Sequence, residues 1–349
     1  MASNTAVEDI ERLFTGLAIE AQKQIPENLQ KPKKKVILLA GPTGSGKTSF
    51  SIELAKEIHG EIISADSMQV YRGMDIGTAK ATLDERAQVP HHLIDIRNIS
   101  ESFNVVDYYY EARHCCQQVQ THEAVPIITG GSGFYIHSLL YGPPSGPPSV
   151  PELRKNLEEE IETFGPDKLY EKLRQLDPQY AATITRNDKQ KIVRGLEIIM
   201  LTNKKVSKLS WRGRHRPLNY DFRCWFLFRP KDHLYHRIEK RCDKMLADGF
   251  LDEVQVLMKE GLLENSSAAQ AIGYRQAIEY LQGSQSPEEY ARFVNVFKQA
   301  SRNYAKRQFT WFRREPLFRW LDLDLHDPEV ALEIIKQDFY GFLERESFT

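Results

Sequence analysis

No stretch of this chain is apolar over the roughly 18 residues that a bilayer-spanning helix needs. The opening MASNTAVEDIERLF carries acids where a secretory leader would place a basic segment before an apolar one. Both absences argue against a membrane protein and set the expectation of a cytoplasmic one. Cysteine is scarce: Cys115, Cys116, Cys224 and Cys242 form no C-x-x-C pair and no zinc-module spacing, so reduced structural thiols are expected. Net charge is also lacking, since 47 Lys and Arg face 48 Asp and Glu. The overall balance therefore points to no polyanionic partner, although the distribution does. From Arg186 to Arg216 ten basic residues face two acids (Asp188, Glu197), and from Arg302 to Arg314 five basic residues face none. Screening confines each charge to about 8 Å, so such clusters can neutralise phosphates even in a neutral chain. A solvated helix face is the plain alternative for either cluster.

What is present is a globular composition, 41% apolar over 349 residues, enough for about two average domains. Residues 1–30 place Ile10, Leu13, Phe14 and Leu17 at helical spacing before Pro26 and Pro32 interrupt, which reads as a docked N-terminal extension. VILLA (Val36 to Ala40) is a short apolar run bounded by turn residues, as a strand buried on both faces should be. EIISA (Glu61 to Ala65), HHLIDI (His91 to Ile96) and VPIITGG (Val125 to Gly131) continue the series, with helical periodicity after VILLA and from Val105 to about His122. This alternation predicts an α/β fold with a parallel sheet and right-handed crossovers. The prolines and glycines of YGPPSGPPSVP (Tyr141 to Pro151) mark a boundary, followed by a small helical insertion carrying Leu153, Leu157, Ile161, Leu169, Leu173 and Leu176. FRCWFLF (Phe222 to Phe228) reads as the sheet resuming, and LFRWLDL (Leu317 to Leu323) as one more strand in a mostly helical C-terminal part.

Four parts of the chain carry chemistry. Gly41, Pro42, Thr43, Gly44, Ser45, Gly46, Lys47 and Thr48 satisfy G-x-x-x-x-G-K-[ST] between a strand and a helix. Such a loop turns backbone N–H groups onto a phosphate at a helix N-terminus, with Lys47 reaching phosphate oxygens and Thr48 offering its hydroxyl to Mg²⁺. It specifies a polyphosphate without specifying ATP. Asp66 follows the second strand on the edge where open α/β sheets bind ligands, beside the loop if the two strands are neighbours. It reads as a magnesium ligand, a cap or a general base. TGGSGFYI (Thr129 to Ile136) ends the fourth strand on the same edge, with Ser132 offering a hydroxyl, or else serves as a tight turn. Near the C-terminus, Arg275, Arg302, Lys306, Arg307 and Arg313 are interleaved with Tyr274, Tyr304, Trp311 and Phe312. That mixture suits phosphates and splayed RNA bases, while aromatics at helical spacing also build cores.

Taken in order, GPTGSGKT, SADSMQVYRGMDIGTAK, VPHHLIDI, IITGGSGFYI, NDKQKIVRGLEI, AIGYRQ and AKRQFTWFR resemble the tRNA dimethylallyltransferases (tRNA isopentenyltransferases) of bacterial type, over roughly Val36 to Trp320. The resemblance implies a P-loop NTPase-like parallel sheet flanked by helices, built from residues 31–146 and 217–349, with a helical tRNA-binding insertion at 147–216. It implies transfer of the dimethylallyl group from dimethylallyl diphosphate to the exocyclic amine of the adenosine 3′ to the anticodon, with Mg²⁺ as cofactor. The partners implied are that diphosphate and the tRNA anticodon stem-loop, with no membrane and a monomeric chain. By resemblance Asp66 is the base on the adenine amine, Ser132 stands where the family usually has Thr, and Arg275 is the arginine on the diphosphate. Positions matching tRNA contacts are Asp66, Ser67, Met68 and Gln69; Arg154; Gln190, Lys191, Ile192, Val193 and Arg194; and Gln270, Ala271, Ile272, Gly273, Tyr274 and Arg275. Lys306, Arg307 and Arg313 join them on charge.

The departures are small: Gly44 replaces Ala, Thr48 a frequent Ser, Lys189 a usual Pro and Lys191 a usual Arg, and no Cys/His pair follows Trp320. Rival readings are prenyl transfer to free adenine nucleotides, an ATP-dependent small-molecule kinase, and a non-catalytic RNA-binding P-loop protein. The basic insertion and C-terminal clusters weigh against the first.

Overall fold

The computed structural model describes residues 34–144, 146–209 and 220–341. The N-terminal extension expected at 1–30 and the basic residues from Trp211 to Arg216 lie outside them. In chain order the first half of the core comprises β1 (Lys34–Ala40), α1 (Lys47–Ile58), β2 (Gly60–Ala65), α2 (Leu83–Gln88), β3 (His91–His92), α3 (Val105–Thr121), β4 (Val125–Gly130) and α4 (Gly133–Tyr141). Four helices follow, α5 (Pro151–Phe164), α6 (Pro166–Leu176), α7 (Pro178–Ala181) and α8 (Lys189–Thr202). The second half has β5 (Tyr220–Phe228), α9 (Lys231–Ala247), α10 (Phe250–Lys259), α11 (Ser266–Ala269), α12 (Tyr274–Gln282), α13 (Pro287–Phe312), β6 (Arg319–Asp322) and α14 (Pro328–Tyr340).

All strand pairings are parallel, in the order β3-β2-β4-β1-β5-β6. Successive residues of a strand point to opposite faces, and each face has its own core. Val36, Leu38, Ala40, Ile128 and Phe226 pack with α3, α4 and the C-terminal helices. Ile37, Leu39, Ile127 and Leu227 pack against Phe50, Leu54 and Ile58 of α1 and Leu332 and Ile335 of α14. Burying each such side chain contributes about 1.5–3 kcal/mol before chain entropy is counted. Coverage on both sides explains why β1 reads as an unbroken apolar run. The fold is the expected P-loop-type α/β architecture. A third core, Leu157, Ile161, Leu169, Leu173, Ile192, Val193 and Leu196, lies wholly within α5–α8.

Register positions the site. Ala40 is paired with Gly130, and Gly130 with Ala65, so β1, β4 and β2 end level and release their loops on one edge. The strand expected over His91 to Ile96 stops after two residues. Leu93 and Asp95 adopt left-handed backbone conformations (φ 59° and 58°), which a ladder cannot continue. The turn delivers Asp95 to the buried Lys80 ammonium (2.6 Å) and to Arg86 (2.6 Å). Partial burial pushes the Asp95 carboxyl up, but hydrogen bonds and charge from Lys80 and Arg86 outweigh it and hold the group below its ordinary value of 3.8. This contribution to stability is complete above pH 3.8 and is lost as the pH falls through the lower folded value. Asp95→Asn should therefore lower the melting temperature at pH 7, with the gap to the parent protein closing in melts run below pH 3.8. A gap of constant size down to strong acid would contradict this.

Candidate active site

The loop from Gly41 to Gly46 links the end of β1 to α1, and Gly46 takes φ 98°, a conformation that costs glycine little. Three side chains brace it from other elements. Gln308 of α13 accepts from Thr43 N–H (2.8 Å) and donates to Gly131 C=O (3.0 Å), joining this loop to the turn after β4. Arg229 donates to Ser45 C=O (3.0 Å) and Arg237 to Gly44 C=O (2.9 Å). Thr43 N–H is taken by Gln308 and Ser45 N–H by Pro42 C=O (3.3 Å), which leaves the Gly44 and Gly46 amides to face an anion.

The cleft beside this loop has a volume of about 390 Å³. Lys47, Thr48, Asp66, Arg241, Tyr304 and Arg307 all line it. Lys47 donates to Pro42 C=O (2.8 Å). Burial, reinforced by the neighbouring Arg241 cation and only partly offset by Asp66, pushes the Lys47 ammonium down to about 7. An anion arriving there would favour the charged form of Lys47 and of Arg241, whose charges the single Asp66 carboxylate offsets only in part.

The sequence puts Asp66 beside the loop if β1 and β2 are neighbours, and here β4 separates them. Asp66 reaches the cleft because the strands end level. Its Oδ1 accepts from Met68 N–H (2.9 Å) and Gln69 N–H (3.4 Å), which closes a turn and fixes the carboxylate. Ser132 Oγ accepts from Ser67 N–H (3.2 Å), and Tyr304 lines the cleft nearby. Burial first and the Asp66 charge second push the Tyr304 phenol up, so it stays a neutral donor. A carboxylate, the Tyr304 phenol and a cationic anion cradle thus converge in the cleft, whose lining does not include Ser132.

The remaining sequence-derived positions divide. Ser67, Met68, Gln69, Gln270, Ala271, Ile272 and Tyr274 line the same cleft. Arg275 does not: it points off α12 beside Glu279 (3.8 Å) and is half exposed, while Arg241 occupies the cleft. Ile192 and Val193 are buried in the core of α5–α8, which removes their side chains from any RNA surface. Gly273 is buried as well. Arg194 binds Glu197 (2.7 Å) and Pro147 C=O (2.6 Å), clipping α8 to the segment before α5. Lys191 pairs with Asp188 (2.6 Å) and Arg154 with Glu158 (3.1 Å), and Gln190 is exposed. Lys306 and Arg313 are exposed on α13 and just past its end, and Arg307 lies over the Tyr304 ring.

Arg241 and Gln308 escaped the sequence reading, yet each leaves a trace. Arg241 sits among Leu234, Ile238, Cys242 and Met245, the buried stripe of α9. Gln308 falls on the stripe of Phe297, Ser301, Ala305 and Phe312 in α13. A polar residue on the apolar face of a helix needs a partner.

The IPP transferase family model matches residues 69–315. The chain belongs to the IPP transferase family. It is 66% identical over 332 residues to a tRNA dimethylallyltransferase of Protochlamydia amoebophila, covering 95% of this chain and 96% of that protein. A tRNA dimethylallyltransferase of Chlamydia caviae is 52% identical over 88% of this chain and 90% of its own. Among solved structures, the full-length tRNA isopentenylpyrophosphate transferase of Bacillus halodurans aligns with TM-score 0.66 and 38% identity, over 90% of this chain and 98% of that one. A eukaryotic dimethylallyltransferase described as acting on tRNA aligns with TM-score 0.73 and 27% identity, over 88% and 80%. The matched segment of the family model begins after the phosphate loop and Asp66, whereas the pairwise relatives span nearly the whole chain. Among the described residues no helix is long and apolar enough to cross a membrane.

Proposed function

We propose that this chain is a tRNA dimethylallyltransferase, moving the dimethylallyl group from dimethylallyl diphosphate onto N6 of the adenosine 3′ to the anticodon and releasing diphosphate. The observation that carries the reading is the shared cleft: a phosphate loop with Lys47 and Arg241 on one side and the fixed carboxylate of Asp66 on the other. The diphosphate of the donor lies in the loop, and the exocyclic amine attacks its allylic C1 as the C1–O bond breaks. An adenine amine is a poor nucleophile because its lone pair is delocalised, and attack makes it cationic. Asp66 takes the N6 proton, an action that typically contributes 10²–10⁴-fold. Charge gathers on the leaving diphosphate, where the loop amides, Lys47 and Arg241 stabilise it. The adenosine must leave its stack to enter.

Mg²⁺ fits this site as a guest of the substrate. Among the described residues no group of three or more His, Cys, Asp or Glu is placed to hold a metal. The cleft does offer the Thr48 hydroxyl, with Asp66 kept for the proton. A single hard oxygen donor suits an ion that keeps several waters and leans on phosphate oxygens. Bound there, Mg²⁺ would neutralise charge on the diphosphate.

The RNA side rests on exposed cations. With Arg194 engaged within the insertion, Lys306 and Arg313 are the better candidates for phosphates. Replacing both by Ala should lower the slope of log K against log salt for tRNA by roughly 1.4–1.8, at 0.7–0.9 per contact. Filter binding across a salt series reads this directly, and an unchanged slope in a folded variant removes the pair from the interface. Lys191→Ala combined with Arg194→Ala should instead lower thermal stability.

The function is tested by incubating the protein with ¹⁴C-labelled dimethylallyl diphosphate and tRNA, AMP or ADP, with γ-labelled ATP in parallel. Label in tRNA is the expected result. Label only in the free nucleotide, or phosphate transfer from ATP, would replace the reading with one of its rivals.

A further inference from the structure

The Glu253 carboxylate of α10 is bound by four donors. Its Oε2 accepts from Asp75 N–H (3.0 Å) and Ile76 N–H (2.6 Å). Its Oε1 accepts from Gly77 N–H (3.1 Å) and the Tyr274 hydroxyl (2.6 Å). Three successive amides around one carboxylate pin the segment rigidly, because charge-assisted hydrogen bonds are roughly twice as strong as neutral ones. Gly77 adds a steric lock: a Cβ there would lie 2.3 Å from the Phe250 ring and 2.7 Å from the Tyr274 ring. Only a bare backbone comes this close to α10 and α12.

Gly77, Thr78 and Ala79 form part of the cleft wall, and Glu253 does not reach the cleft. The wall is tied to the carboxylate of the site through Gln69, whose Nε2 approaches Thr78 C=O (3.4 Å) and whose amide faces Asp66 Oδ1. The diphosphate side is held by other groups, Gln308, Arg229 and Arg237, none of which touches this segment.

We infer that Glu253 is a positioning residue for the acceptor base: it fixes the wall formed by Gly77–Ala79, and through Gln69 the carboxylate of Asp66, against the adenine that enters the cleft. This rests on reading the cleft as a tRNA dimethylallyltransferase site. A merely structural role would lower the fraction of folded protein and so reduce the rate only in step with that fraction, leaving both KM values alone. A positioning role is selective, acting on the acceptor and sparing the donor.

The test is steady-state kinetics of the full chain with tRNA and dimethylallyl diphosphate, alongside inhibition by pyrophosphate and a thermal melt. For Glu253→Ala, kcat/KM for tRNA should fall about 10²-fold, the scale of an ångström-sized misplacement. KM for dimethylallyl diphosphate and inhibition by pyrophosphate should stay unchanged. Glu253→Gln, which keeps an acceptor oxygen, should recover part of the loss. Tyr274→Phe, which removes one donor of four and keeps the ring, should lose less. A rise in KM for dimethylallyl diphosphate or a weakening of pyrophosphate inhibition as large as the loss for tRNA, a fall that follows the folded fraction, or unaltered rates would overturn the inference. If Glu253→Ala fails to fold, the other two variants decide in the same way. No transfer by the unsubstituted protein would overturn the reading of the function itself, a different outcome from an unselective loss in the variants.

Discussion

Asp66→Ala should reduce prenyl transfer by about 10²–10⁴-fold, the usual contribution of a positioned base, while tRNA binding and inhibition by pyrophosphate remain near those of the parent protein. The reason is that the carboxylate acts on a proton that becomes acidic only as N6 attacks, so its loss is felt in kcat and hardly in ground-state affinity. Asp66 also receives Met68 and Gln69 amides, so Asp66→Asn serves as the control, keeping an acceptor for the turn and removing the base. Both variants should be slow. Near-normal turnover in either would remove Asp66 from proton transfer.

On the opposite wall, Lys47→Met and Arg241→Gln should each lower kcat/KM for dimethylallyl diphosphate by about 10²–10³-fold, the scale seen when one donor is removed from a developing anion. Here the loss should appear in KM as well as kcat, because these cations meet the diphosphate before and during bond breaking. Inhibition by pyrophosphate should weaken in parallel and tRNA affinity should hold. Undiminished pyrophosphate inhibition in both variants would contradict the placement of the diphosphate. Arg275→Gln makes the comparison, since its side chain lies outside the cleft. It should leave pyrophosphate inhibition intact.

The parts of this site that could be read in the sequence are those carried by contiguous residues. The phosphate loop, Asp66 after β2 and Ser132 after β4 each follow an apolar strand, and a parallel sheet sends all such endings to one edge. What the sequence did not disclose depends on contacts between distant segments. Gln308 meets Thr43 across 265 positions, and Glu253 meets Ile76 across 177. Neither pairing has a local signal beyond a polar residue on a buried helical face. Arg275 and Arg241 show the same limit: both sit on helices near aromatic and apolar neighbours, and only the packing of α9 and α12 decides which faces the cleft. The shortened β3 belongs here too, because HHLIDI has strand composition, but Lys80 and Arg86 draw Asp95 out of the ladder. Motif position puts Ile192 and Val193 at RNA, although as apolar residues on a helix they carry the signature of a core.

The central claim is that one cleft joins a diphosphate cradle to a base acting on a tRNA adenosine. The most direct test incubates the protein with dimethylallyl diphosphate and unmodified tRNA, digests the RNA with nucleases, and locates any added mass by mass spectrometry. The account predicts one dimethylallyl group on the adenosine 3′ to the anticodon with the parent protein, and with Asp66→Ala, in the initial-rate regime, at least about 10²-fold less of it. An unmodified anticodon loop after reaction with the parent protein, or equal modification by the Asp66→Ala variant, would contradict it.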